Sequence, residues 1–153
     1  MSAEARVKEL GLELPPAPKA MGVYKPVVQI DRLLYLSGHG PMLPDGSWIM
    51  GRVGADLDTA AGAAAARQTG LAILASIRAH CGSLDRVARF IKSLGLVQAT
   101  LEFTDHPAVI NGYSELMRDV FGDAGISARS AVGAASLPSG IAVEIEAIVE
   151  LKE

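Results

Sequence analysis

The stretch 141–151 constrains the fold most. Ile141, Val143, Ile145, Ala147, Val149 and Leu151 fall on one side of an alternating pattern, while Glu144, Glu146 and Glu150 fall on the other. Alternation with period two is the signature of a strand with one buried face. The chain must therefore supply helices or a second sheet to cover the odd-numbered side. The glutamate side stays free for another purpose.

The rest of the sequence supplies such cover. Two long segments carry helical periodicity. Asp58 or Thr59 is expected to cap the first, which starts with the alanine-rich run 60–66 and ends near His80. Leu71, Leu74 and Ile77 continue its core-facing stripe. The second starts at Thr104-Asp105-His106-Pro107 and repeats apolar residues at three-to-four spacing to Phe121, before Gly122. Strands are expected over 27–29, 33–37, 85–100, 128–137 and 141–151, and a short helix over 3–10 before Gly11. Leu14-Pro15-Pro16-Ala17-Pro18 forms an extended lead-in. The order strand-strand-helix-strand-helix-strand-strand predicts an α+β domain, with two helices on one face of a mixed sheet. No repeat or linker divides the 153 residues, so the chain reads as one domain, with 1–16 as an N-terminal extension.

Composition narrows the function. A net charge of −3 and no basic cluster argue against nucleic acid as a partner. Arg89 and Lys92 interrupt the best apolar run, so no membrane span is expected. The start of the chain lacks a signal-peptide layout, and the single cysteine, Cys81, fits a reducing compartment; both point to the cytoplasm. The three histidines show no metal-ligand spacing, and no metal is expected.

Arg129 is the most informative charge. It stands among Ala128, Ser130, Ala131 and Gly133, small residues that leave a recess around a long cation. If 128–137 and 141–151 form a hairpin about Pro138, Arg129 lies opposite a residue near 144–147. The register that puts Arg129 on the glutamate face and Val132 on the core face is then expected. A one-residue slip would bury the guanidinium uncompensated. An ordinary cross-strand ion pair explains the same residues without any chemistry.

Ser127-Ala128-Arg129-Ser130-Ala131-Val132, then Leu137-Pro138, then Val143-Glu144-Ile145-Glu146-Ala147-Ile148 resembles the C-terminal signature of the Rid (YjgF-type) reactive-intermediate deaminases. Ala17-Pro18-Lys19-Ala20-Met21-Gly22-Val23-Tyr24 and Leu34-Tyr35-Leu36-Ser37-Gly38 resemble the family's lead-in and second strand. Asn111-Gly112-Tyr113 matches its Asn-x-x-Tyr region in part. The resemblance spans roughly Pro18 to Glu150. It implies a chorismate-mutase-like fold assembled as a homotrimer, with a central β-barrel, helices outside and a cleft between each pair of subunits. It also implies hydrolysis of small carboxylated imines and enamines, such as 2-aminoacrylate, to 2-keto acid and ammonia, with no cofactor or metal. By position, Arg129 would grip the substrate carboxylate and Glu144 would serve as general base. Tyr24 of a neighbouring subunit would close the cleft, and Gly38 would offer backbone. Glu146 is the weaker candidate for the base.

Several positions depart from the family pattern. Ala131 occupies a substrate-contact position where many members carry Cys, and His39 replaces the usual Gln after Ser-Gly. Val23-Tyr24-Lys25-Pro26 is altered, and 51–58 lacks the usual Gly-Gln elements. These changes resemble a longer branch of the family. His39, between two glycines, is expected at the cleft mouth, either as proton donor to ammonia or as a plain loop-edge side chain. Asn111 lies off its helix's apolar stripe, where it is expected to face a subunit boundary or water, and is the weaker candidate for a substrate contact. His80 and Cys81 close a helix, His106 is expected in solvent, and Trp48 is expected in the core. The rival functions are non-catalytic binding of a small carboxylate and, last, RNA cleavage.

Overall fold

The computed structural model describes residues 1–153. In chain order it contains α1 (Ala3–Glu9), β1 (Val27–Ile30), β2 (Leu33–His39), α2 (Thr59–Cys81), β3 (Val87–Gln98), α3 (His106–Phe121), β4 (Ala128–Ala134) and β5 (Val143–Leu151). The expected order of strands and helices is the observed one. Local signals explain why. Asp58 accepts a hydrogen bond from Ala61 N–H at 2.8 Å and caps α2, and Gly82, at φ 80°, ends it in the left-handed conformation. Pro107 sits in the first turn of α3, although Asp105 makes no side-chain capping bond there.

The five strands form one mixed sheet in the order β1-β2-β5-β3-β4. All neighbours are antiparallel except β3 and β4, which run parallel. The expected hairpin of β4 with β5 is therefore absent, because β3 lies between them. The reason is α3, which carries the chain back across the sheet after β3 and so delivers β4 parallel to it. Gln98, buried at the end of β3, then pins the return. Its amide accepts from Leu137 N–H at 3.0 Å and donates to the carbonyls of Gly51 and Gly140.

Along β5 the expected faces are observed. Val143, Ile145, Ala147 and Val149 are buried under α2 and α3, and Glu144 and Glu146 point the other way. The two helices approach closely. A Cβ added at Gly112 on α3 would stand 2.0 Å from the carbonyl oxygen of Ala63 on α2, so no side chain fits there. Tyr113, next to it, is fully buried, and its hydroxyl shares a 2.9 Å hydrogen bond with Ser93 on β3. The N-terminal helix is tied in as well. Glu4 takes two hydrogen bonds from Arg78 and one from Leu84 N–H, and Val7 joins the core. The opposite face of the sheet is uncovered, with Val28, Tyr35, Ile91 and Val132 exposed on it among the charged residues of β5 and β3.

Candidate functional site

The first half of the site grows from an irregularity in β2. Leu34 and Leu36 point inward, so strict alternation would send Gly38 inward too. The pairing with β5 slips instead: Leu36 faces Ala147, and His39, three residues on, faces Ile145, only two residues back. This extra residue is a β-bulge, which re-aims the side chains that follow it. Gly38 stays on the open face, and His39 turns into the protein.

A Cβ added at Gly38 would lie 2.8 Å from Glu144 Cδ and 3.0 Å from its Oε1. The missing side chain is thus the space that the Glu144 carboxyl occupies. Glu144 and Glu146 line one cleft of about 630 Å³ with Tyr24, Met21, Trp48 and Ile141. Burial, and secondarily the neighbouring Glu146, push the Glu144 pKa above the usual carboxylate value. No cation offsets this. Tyr24 is half exposed, and its hydroxyl accepts from Met21 N–H at 3.1 Å, which folds the lead-in back on itself at the cleft.

His39 is not at the cleft mouth. It is buried, with Nδ1 2.6 Å from the Ser37 carbonyl and Nε2 2.8 Å from Ser76 Oγ on α2. A carbonyl only accepts, so Nδ1 carries the proton and the Ser76 hydroxyl donates to Nε2. Burial lowers the His39 pKa and keeps the ring neutral. Its role is to hold the bulge against α2, and nothing places it within reach of a leaving group.

The second half lies on the edge strand. Arg129 pairs in register with Ser93, which pairs with Ala147, so all three share the helix-side face. The expectation that Arg129 joins the glutamate face is corrected, as is that for Val132, which is exposed on the open face. The feared charge burial does not arise, because β4 is the edge strand and the guanidinium reaches out along α3. There Nη1 donates to Asn111 Oδ1 at 2.9 Å and to Ser114 Oγ at 3.0 Å, and Nη2 donates to the Pro107 carbonyl at 3.5 Å. All three partners are neutral. Of five guanidinium N–H groups, Nε–H and one on Nη2 remain free for an anion.

Ala131 follows on the same face, opposite Gly95. His106, expected in solvent, is half-buried. Its ring sits edge-on to Phe103 and covers Gly133, where an added Cβ would meet Nε2 at 2.6 Å. No three His, Cys, Asp or Glu side chains converge as a metal site would require, and no helix is long and apolar enough to cross a membrane.

The expected residues therefore fall into two groups on opposite sheet faces, two strands apart. Tyr24, Gly38 and Glu144 form one, and Arg129, Asn111 and Ala131 form the other. Within one chain, Tyr24 lines the same cleft as Glu144. Sequence reading missed Ser114, and Trp48, expected in the core, lines the cleft. The signal for Ser114 was its place three residues after Asn111, on the same polar side of α3. No sequence signal tied Trp48 to the site; its contact with Gly40, whose added Cβ would lie 2.8 Å from the indole, is seen only in the fold.

Residues 4–149 match the family model described as "YjgF/chorismate_mutase-like, putative endoribonuclease". Protein TCP17 of Trypanosoma cruzi is 40% identical over 148 residues, covering 96% of this chain and 92% of that protein. The crystal structure of Atu1372 from Agrobacterium tumefaciens, of unknown function, is 42% identical with a TM-score of 0.89, covering 98% of this chain and 94% of that one. RidA from the Antarctic bacterium Psychrobacter sp. PAMC 21119 is 27% identical with a TM-score of 0.63, covering 90% and 96%. The chain belongs to the YjgF/chorismate-mutase-like family, of the Rid type.

Proposed function

We propose that the protein hydrolyses small reactive imines and enamines bearing a carboxylate, of the 2-aminoacrylate kind, to a 2-keto acid and ammonia. The clefts that do this lie between copies of a homotrimer. The observation that carries the reading is a complementary pair of unfinished half-sites in one chain. Glu144 sits in a cleft with no cation, and Arg129 is held ready by neutral groups with no anion. The uncovered sheet face, with its exposed apolar side chains, supports assembly, since a monomer rarely leaves such a surface bare.

In this reading Arg129 of one copy holds the substrate carboxylate through its free N–H groups. In the neighbouring cleft an enamine is first protonated at carbon to give the imine. Water then adds to the electrophilic iminium carbon C2 as Glu144 takes one of its protons. That proton returns to nitrogen, and as the C–N bond breaks and ammonia leaves, the new hydroxyl gives up its own proton and becomes the keto oxygen. A carboxyl with raised proton affinity suits both transfers. RNA cleavage, named in the family's description, is disfavoured by the net charge of −3 and by a cleft whose acidic groups would repel phosphate.

The test is a coupled assay in which a dehydratase generates 2-aminoacrylate from serine and pyruvate release is followed. The protein should accelerate release, and Arg129→Ala should abolish the acceleration while size-exclusion with light scattering still reports a trimer. Saturable keto-acid binding with no turnover of any imine would replace the enzyme by a binding module.

A further inference from the structure

Gly38 and Gly40 flank the inward-turned His39, and each has given up its side-chain space to a different neighbour. At Gly38 the space holds the Glu144 carboxyl. At Gly40 an added Cβ would strike Trp48 Cζ3 at 2.8 Å and Ile141 Cδ1 at 2.9 Å. The two glycines thus form one floor on which a carboxylate and an indole lean side by side. Both neighbours line the same cleft.

Trp48 is held firmly. It pairs with Met42 across a tight turn that Asp45 closes by accepting from both the N–H and the hydroxyl of Ser47. Gln68 of α2 anchors the turn by donating to the Met42 carbonyl at 2.6 Å. An indole fixed this way and left half-buried is a rigid apolar wall. Ile141 and Met21 extend it.

We propose that Trp48 is a specificity-determining residue that selects imino acids with branched or longer apolar side chains, of the leucine-derived kind, over the alanine-derived imine. This rests on the reading that Glu144 works at the reacting carbon. With that carbon beside Glu144, a side chain of several carbons extends over Gly40 onto the indole. A methyl group stops short and leaves the wall wet. Burying the extra carbons favours the larger substrate.

The test has two arms. In the first, an amino-acid oxidase generates imines from leucine, alanine and arginine, and their hydrolysis is compared. The leucine-derived imine should show a kcat/KM at least about 10-fold above the alanine-derived one. Trp48→Ala should shrink that ratio to about 3-fold or less, and Trp48→Leu, which keeps an apolar wall and protects folding, should give an intermediate ratio. The second arm uses Trp48 as the chain's only tryptophan. Its fluorescence should titrate with 4-methyl-2-oxopentanoate at concentrations at least about 10-fold lower than with pyruvate.

A ratio unchanged in both variants, a preference for the alanine- or arginine-derived imine, or fluorescence blind to both keto acids overturns the assignment. The two readings fail separately. Turnover without side-chain preference leaves the deaminase and removes the role of Trp48. A fluorescence response with no imine turned over removes the deaminase and keeps Trp48 as the wall of a keto-acid site.

Discussion

The carboxylate half and the arginine half of the candidate site are built on opposite plans. Around Glu144 the chain removes material: Gly38 carries no side chain and no counter-charge is present, so the partly buried carboxyl holds its proton more tightly. Around Arg129 the chain adds material, with Asn111, Ser114 and the Pro107 carbonyl fixing three donors in place. A group that must exchange a proton benefits from a poorly solvated setting. A group that must recognise a planar anion benefits from pre-orientation.

The largest expected effect comes from breaking both halves at once. Arg129→Ala and Glu144→Gln should each lower kcat/KM by about 10²–10³-fold. Mixed and reassembled, the two variants should recover activity, because about a quarter of the interfaces in a random trimer then pair an intact Arg129 with an intact Glu144. No recovery in verified mixed trimers would mean that both groups act within one chain. A smaller effect sharpens the arginine half. Asn111→Ala and Ser114→Ala should each raise KM by about 10-fold with little change in kcat, since they hold a binding group and not the reacting one. A fall in kcat alone would assign them to the chemistry.

The smallest effect concerns the floor beneath the carboxylate half. His39 has a folded pKa below its ordinary value of about 6.5, so the unfolded chain binds its proton more readily. Its contribution to stability is present above that ordinary value and is lost as pH falls through the window down to the folded pKa. Glu144, with a raised pKa, contributes in the opposite sense: stability present at low pH and lost as pH rises above the usual carboxylate range. On acidification from neutral pH the thermal melts of wild type should therefore fall more steeply than those of His39→Gln, narrowing the gap between them by an amount on the order of a few degrees. Parallel curves would deny His39 its buried neutral state.

Element boundaries were legible wherever the determinant was local. Asp58 and Gly82 bracket α2, the odd-even pattern of β5 gives its faces, and Arg129 and Glu144 stand out by type and setting. Strand neighbours were not legible, because the choice between a β4–β5 hairpin and a β3–β4 crossover depends on where α3 delivers the chain. The face of Arg129 was lost with that choice. His39 was misplaced for a different reason: one extra residue in β2 inverts every side chain beyond it, and no residue type in Leu36-Ser37-Gly38-His39 announces the slip.

Asn111-Gly112-Tyr113 looks like a single motif when written in a line, yet its three members answer to unrelated demands. Asn111 serves the guanidinium of Arg129, Gly112 leaves room for the backbone of Ala63, and Tyr113 closes a buried hydroxyl pair with Ser93. Drift at the first position loosens only the guanidinium of Arg129. Drift at the second forces apart the helices that carry the sheet, and at the third it strands a polar group in the core. Descendants of this chain can thus vary at Asn111 while the two residues beside it stay fixed by packing alone.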